Sequence, residues 1–166
     1  EEELMALATD ITAYSGLGCR SVSMIFYPHG TTPRLARCDA ACHKLQQMLR
    51  ARKALLTMQQ KSYNDYGGYL ATNGTMFPQS LGEVTISEYN DISDVAAWLT
   101  SRSHDIQCVV SHITTLDEHL PFGRIIPFGR GQYPSLDDYA DGVDTMAFLT
   151  NYGDGLLTFS HPPIRL

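Results

Sequence analysis

The sequence predicts an α/β protein with an open, mostly parallel sheet flanked by helices. Apolar segments with strand character, at 22–27, 83–89 and 106–111, alternate with segments of helical periodicity. The order strand, helix, strand across 83–111 favours a parallel pair, because parallel strands need a crossover connection. With 43% hydrophobic and 18% charged residues, the 166-residue chain can bury one sizeable core.

The first segment predicts a helix that leads into a glycine-flanked cysteine. Leu4, Leu7 and Ile11 recur at spacings of three and four, and the glycines at 16 and 18 end this pattern. The apolar run 22–27 follows Cys19 and is typical of a strand. The thiol is therefore predicted at a helix-to-strand junction, where glycines without a Cβ let a substrate approach closely.

The longest helix is predicted from Thr32 and Pro33, a capping residue and a favourable first helical residue, to about residue 60. Its apolar positions recur at intervals of three and four and predict one buried stripe: Leu35, Cys38, Cys42, Leu45 and Leu49. Cys38, Cys42 and His43 also suggest a metal site, but a closed structural zinc site needs four ligands, and no second pair is evident. We therefore predict no metal here.

The middle of the chain is predicted as a long loop over 61–79, rich in Tyr, Asn and Gly, followed by a strand at 83–89. A helix over 91–103 places its apolar residues on one face, namely Ile92, Val95, Trp98 and Leu99. The strand 106–111 is of the buried type, which predicts that Cys108 is a core residue.

The C-terminal part contains the tetrapeptide Pro-Phe-Gly-Arg twice, at 121–124 and 127–130. Ser135 is predicted to cap a last helix with an inward face of Leu136, Tyr139, Val143 and Met146. Its acidic residues, Asp137, Asp138, Asp141 and Asp144, are expected to form a solvated face. Residues 151–166 are predicted to be an extension that packs on the domain or on a partner.

Charge, apolar runs and cysteine spacing indicate which partners and which cellular environment to expect. The formal net charge of −6 and the absence of a long basic run argue against nucleic acid as a partner. No apolar run approaches the length of a membrane span, and four unevenly spaced cysteines do not form the framework of a small secreted domain. These features predict a soluble, cytoplasmic protein with reduced thiols.

Four segments, in order, carry a resemblance to a known family: LATDITAYSGLGCRSVSMIFYPHG, IQCVVS, IPFGRGQYP and DYADGVDTMAFL. Together they resemble the C-terminal half of the long-chain acyl-CoA and acyl-protein reductases of the LuxC type, within the aldehyde dehydrogenase superfamily. The resemblance spans about 7–149. It implies the fold of the aldehyde dehydrogenase catalytic domain over 1–150.

The resemblance implies that Cys19 is the nucleophile that forms an acyl-enzyme from a thioester. Arg20 is the nearest fixed positive charge and is predicted either to stabilise the thiolate or oxyanion or to form a surface or interdomain ion pair. The backbone N–H of Cys19 or Arg20 is a candidate oxyanion donor, with a second donor expected from outside this chain. Glu83 and Glu88 resemble no catalytic glutamate segment, and His29 and His112 are expected to be structural.

The family also implies NADPH or NADH as cofactor, bound mainly by a half that precedes the cysteine. The chain opens without methionine, in the middle of a predicted helix, so we expect a fragment that lacks this half. The implied substrate is a long-chain acyl-CoA or an acyl-protein, the product is a fatty aldehyde, and the implied assembly is a homodimer. No cofactor-binding residue can be assigned from the sequence.

Two other functions remain open on the sequence. A non-catalytic α/β binding or assembly module would keep the fold and have a thiol of ordinary reactivity. A small metal-binding protein would use Cys38, Cys42 and His43. The reductase differs from both because it predicts one cysteine that reacts faster than the others.

Overall fold

The computed structural model describes residues 1–113, 116, 125–135, 138 and 144–151. Four helices and six strands lie within these residues. The helices are α1 (Glu2–Thr12), α2 (His43–Met58), α3 (Ile92–Ser101) and α4 (Thr145–Asn151). The strands are β1 (Met24–Pro28), β2 (Asn64–Asp65), β3 (Leu70–Asn73), β4 (Glu83–Tyr89), β5 (Val109–Val110) and β6 (Ile125–Ile126).

The main sheet has four strands in the order β1-β4-β3-β2. Strand β4 is central and pairs in parallel with both β1 and β3, whereas β2 pairs antiparallel with β3. Strands β5 and β6 form a separate parallel pair. The prediction of an α/β protein with an open, mostly parallel sheet and flanking helices is therefore confirmed.

Helices cover both faces of the sheet. Tyr69 and Ala71 of the β3 region join a core cluster with Ala8 and Ile11 of α1, whereas the intervening Leu70 packs with the leucines of α2. This follows from the strand period of two, which points successive side chains to opposite faces. A third cluster joins α3 to Phe26 of β1.

Local sequence signals account for the two regions predicted best. In β4 the first five residues are all buried, including Val84 and Ile86. Helix α3 begins with a capping box in which the Asp91 carboxylate accepts the Ser93 N–H at 2.7 Å and Asp94 accepts the Asp91 N–H at 3.3 Å. Of the helices among the described residues, none is both long and apolar enough to span a bilayer.

The predicted helix over 32–60 is wrong in its first third. Helix α2 begins only at His43, and the preceding segment is not helical, with the Cys38 N–H donating to the Tyr66 carbonyl at 3.0 Å. The Tyr69 hydroxyl donates to the Ala36 carbonyl at 2.8 Å. These tertiary bonds replace the helical bonds that the spacing predicted, so Cys38 and Cys42 do not share a helix face.

The predicted loop over 61–79 is also wrong, because it contains β2 and β3. Tyr69 and Leu70 have no exposed surface. The neighbouring glycines are required by close packing, since a Cβ on Gly67 would lie 2.3 Å from the Cys38 carbonyl oxygen. Strand β3 has only four residues, which is too few for an alternating apolar pattern to be recognised in the sequence.

Three further expectations about pairing and burial are wrong. Strand β5 does not pair with β4, because β1 and β3 already occupy both edges of that strand. Cys108 precedes β5 and is only half-buried, so it is not a core residue. In α4, Met146 is 64% exposed and does not face inward. Leu136, Tyr139, Val143, the first Pro-Phe-Gly-Arg copy and the tail 152–166 lie outside the described residues.

Candidate active site

Cys19 lies at an exposed position in a tight turn between α1 and β1. The Ser21 N–H donates to the Gly18 carbonyl at 2.9 Å, which places Cys19 and Arg20 at the two central positions of the turn. The sequence therefore predicted the position of the thiol correctly.

The residues that lead into this turn adopt a left-handed conformation. Tyr14 and Ser15 have φ values of 54° and 59°, and Gly16 has a φ of 72°. For each residue other than glycine this costs about 1–2 kcal/mol. Tyr14 and Ser15 are thus strained backbone a few residues before the cysteine.

A cavity of about 420 Å³ opens beside Cys19, which is one of its lining residues. Its volume lies within the range of about 300–1,000 Å³ that is typical of ligand pockets. Arg20, Cys108 and Ser111 add polar groups to the lining. Most of the wall is apolar and includes Leu4, Leu7, Phe26, Val95, Trp98 and Leu99.

Arg20 is buried, with 8% of its surface exposed, and its Nη1 lies 2.6 Å from the Asp138 carboxylate. This hydrogen bond raises the pKa of Arg20 and keeps the guanidinium charged. The charge also interacts with the thiols of Cys108 and Cys19. Arg20 therefore forms an ion pair within the described part of the chain, and Asp138 does not belong to a fully solvated face.

Asp10 is the residue that sequence analysis missed. It is 1% exposed, and its carboxylate accepts the N–H of Gly129 at 2.6 Å and of Gly131 at 2.9 Å. Its carbonyl accepts the Val22 N–H at 3.1 Å. Asp10 therefore ties α1 both to the second Pro-Phe-Gly-Arg loop and to the chain after Cys19. Periodicity treats an aspartate next to Ile11 as a surface residue, so only the fold reveals this role.

The same loop contacts the cysteine turn through Gln132. The Gln132 Nε2 donates to the Ser21 hydroxyl at 3.2 Å. A Cβ placed on Gly18 would lie 2.5 Å from that nitrogen, so a side chain there would require the end of Gln132 to move. The two motifs that the sequence singled out, the glycine-flanked cysteine and IPFGRGQYP, are therefore in contact.

The other acidic and imidazole candidates are paired with other side chains, one of which, Glu3, also lines the cavity. Glu83 is buried, with its two carboxylate oxygens bound to Arg52 at 2.7 Å and Thr72 at 2.9 Å. The His29 ring pairs with Glu88 at 3.0 Å, and neither residue lines the cavity. The His112 ring pairs with Glu3 at 3.1 Å.

Cys38 and Cys42 occupy different environments. Burial raises the pKa of the Cys38 thiol. The backbone N–H of Leu45 lowers the pKa of Cys42, which is exposed at the start of α2, and the Ser15 hydroxyl contributes to the same effect. Within the part of the chain that the structure describes, no three His, Cys, Asp or Glu side chains come together as metal ligands.

The chain matches no protein-family model, no curated protein and no solved structure. What the fold and the site define is a mixed α/β protein with an exposed thiol beside a largely apolar cavity and a buried arginine.

Proposed function

We propose that the chain is the catalytic domain of a reductase that converts a long-chain acyl-CoA, or an acyl-protein thioester, to a fatty aldehyde. The observation that carries the proposal is the position of Cys19, exposed on the wall of a cavity of about 420 Å³ whose lining is mostly apolar. An alkyl chain fits such a lining because burying its methylenes is favourable, by about 0.8 kcal/mol each.

Acyl transfer is the half-reaction that the described residues support. The Cys19 thiolate attacks the thioester carbon, an Sγ–C bond forms, and the carbonyl electron pair moves to oxygen. When the carbonyl re-forms, the bond from carbon to the donor sulfur breaks and the donor leaves as a thiolate, which takes a proton from water. Arg20, the next residue along the chain, places a charged guanidinium in the lining of the same cavity as Cys19.

The described residues do not fit a nicotinamide dinucleotide. A pyrophosphate is usually held where a glycine-rich loop opens a helix. Here α3 begins with the carboxylates of Asp91 and Asp94, which would repel it, and α2 begins at His43 with no glycine among the residues just before it. In this proposal NADPH or NADH is held outside the described residues and supplies the hydride that reduces the acyl-enzyme.

The test is the intact mass of the chain after incubation with palmitoyl-CoA. We expect one palmitoyl adduct that hydroxylamine removes, as a thioester requires. Cys19→Ala should abolish the adduct. Two matched variants should retain it: Cys108→Ala, which removes the other thiol in the cavity, and Cys42→Ala, which removes the other exposed thiol. An adduct that survives Cys19→Ala, or no adduct in any variant, would contradict the proposal.

One observation favours the alternative of a non-catalytic binding or assembly module. Helix α4 exposes three large apolar side chains, with Met146, Phe148 and Leu149 each more than half exposed. Such an apolar patch is typical of a contact surface. This alternative predicts that Cys19 reacts like an ordinary thiol and accepts no acyl group.

A further inference from the structure

Three consecutive residues of the loop between β3 and β4 contact the C-terminal end of α3. The Trp98 Nε1–H donates to the Thr75 carbonyl at 3.0 Å. The rings of Phe77 and Trp98 lie 5.1 Å apart in an edge-on arrangement. Between these two contacts, the Arg102 Nη2 donates to the Met76 sulfur at 3.0 Å. The thioether is therefore held directly against a guanidinium.

That guanidinium carries a donor that the contact leaves unsatisfied. The Arg102 Nε is buried and has no hydrogen-bond partner in the part of the chain that the structure describes. The N–H groups of Nε and Nη2 point the same way along one edge of the planar group, which is how arginine binds two acceptors at once. A thioether is only a weak acceptor, and a buried donor without a partner is unfavourable. This edge of the guanidinium therefore favours a stronger acceptor at the position of the Met76 sulfur.

We propose that Met76 is an oxidation site at which Arg102 binds the oxygen of the methionine sulfoxide. Oxidation replaces an apolar thioether by a polar S–O group, whose oxygen can accept from both Nη2 and Nε. Met76 is 57% exposed, so a hydroperoxide can reach it. Its side chain is unbranched and can rotate to turn the new oxygen toward the guanidinium. The inference is independent of the proposed function.

The guanidinium is held in place before any oxidation occurs. Its central carbon lies 5.1 Å from the centre of the Trp98 ring and 5.9 Å from that of Phe77, and a cation over aromatic rings is attracted to them. The Arg102 backbone N–H also donates to the Leu99 carbonyl at 3.1 Å. Phe77 and Trp98 both line the cavity beside Cys19. Binding of the sulfoxide by Arg102 would thus strengthen the attachment of a loop that forms part of the cavity wall.

The reaction is the transfer of one oxygen atom from a hydroperoxide, here hydrogen peroxide. A lone pair of the Met76 sulfur attacks one peroxide oxygen, an S–O bond forms and the O–O bond breaks. The departing hydroxide takes the proton of the new S–OH group and leaves as water. Sulfur is oxidised by two electrons and the peroxide is reduced by two, so no further reactant is needed.

The experiment measures the change in Tm that hydrogen peroxide causes. After treatment, dithiothreitol reduces the reversibly oxidised cysteines, and mass spectrometry of the peptides gives the fraction of sulfoxide at Met76. Met76→Leu is the matched control, because it undergoes every other oxidation and lacks this one. Relative to Met76→Leu, we expect peroxide to raise the Tm of the native chain by about 3–6 °C, as one added hydrogen bond and one satisfied buried donor require.

Two further variants identify the cause of this rise. Arg102→Leu removes the donors and should abolish the rise. Met58→Leu removes the sulfur of a methionine that is 82% exposed at the end of α2, and it should leave the rise unchanged. If Arg102→Leu does not fold, a rise that is lost in Met76→Leu and kept in Met58→Leu still supports the inference.

Three results would overturn the inference. The first is a Tm that peroxide leaves level or lowers in the native chain relative to Met76→Leu. The second is a rise that persists in Arg102→Leu. The third is a Met76 that stays unoxidised under conditions that convert Met58. None of these results bears on acylation of Cys19, which is tested separately.

Discussion

Asp10→Asn is the substitution that tests the arrangement of the site most directly. The buried carboxylate holds the N–H groups of Gly129 and Gly131 at 2.6 and 2.9 Å. Asparagine has nearly the same shape but only one side-chain oxygen. One of the two glycine N–H groups would therefore face an NH₂ group and lose its acceptor in a buried position.

The expected cost can be worked from these two bonds. A hydrogen bond to a charged group contributes about 1.5–3 kcal/mol, and a buried donor left without a partner costs about 1–3 kcal/mol. Asp10→Asn should therefore lower the free energy of unfolding by about 3 kcal/mol. For a chain of this size, that corresponds to a fall in Tm of roughly 6–12 °C.

The measurement is urea unfolding followed by circular dichroism, with Asp39→Asn as the control. Asp39 is exposed, so the same chemical change there should alter the free energy of unfolding by less than about 0.5 kcal/mol. Because Asp10 fixes the loop before Gln132, Asp10→Asn should also slow acylation of Cys19. Equal effects of the two substitutions on unfolding would refute the structural role given to Asp10.

Three further predictions concern the segments around the cysteines. Ser15→Gly should raise the free energy of unfolding by up to about 1 kcal/mol, because it relieves a left-handed residue, whereas Ser101→Gly at the end of α3 should lower it. Cys42→Ser should raise the free energy of unfolding by about 1 kcal/mol, because the Cys42 sulfur is only a weak acceptor for the Leu45 N–H at the start of α2, whereas a serine oxygen caps well; no gain in a thermal melt would contradict this. Iodoacetamide should modify Cys42 at a lower pH than Cys38, because the Leu45 N–H lowers the first pKa and burial raises the second; the reverse order in a pH series would count against this.

The last of these predictions affects how Cys19 should be identified. From the sequence alone, the reductase predicts one cysteine that reacts faster than the others. The structure adds a second exposed thiol, Cys42, whose pKa is lowered by the start of α2. A simple alkylating agent therefore does not distinguish the two, and only a thioester substrate tests the proposed role of Cys19.

The sequence predicted the bounds of those segments whose structure is determined by residues close together in sequence. The strand at 83–89 alternates apolar and polar residues and is predicted with the observed bounds. Helix α3 carries its own cap in Asp91 and an apolar face with Val95 and Leu99, so its position is also predicted closely. In these segments, local preference and the final packing agree.

The sequence-based predictions are wrong or incomplete where contacts between residues far apart in sequence determine the structure. The spacing from Leu35 to Leu49 is helical, yet the backbone of Cys38 pairs with Tyr66, almost thirty residues later in the chain. Similarly, the apolar residues of α1 recur at helical spacing. This spacing does not indicate that the Asp10 carboxylate accepts hydrogen bonds from Gly129 and Gly131. Tertiary contacts of this kind override a local preference worth less than about 1 kcal/mol per residue.

Two of the three residues other than glycine that have a positive φ in the described part of the chain lie shortly before Cys19, and the third is Gln60 after α2. Tyr14 and Ser15 adopt left-handed backbone at a cost of about 1–2 kcal/mol each. Asp10 buries a carboxylate that accepts the backbone N–H groups of Gly129 and Gly131. A glycine-rich turn could join α1 to β1 at a lower conformational free-energy cost. Locally unfavourable features that the surrounding structure maintains are found more often at functional sites than elsewhere. These features near Cys19, together with the exposed thiol, are the physical argument for the chemistry proposed there.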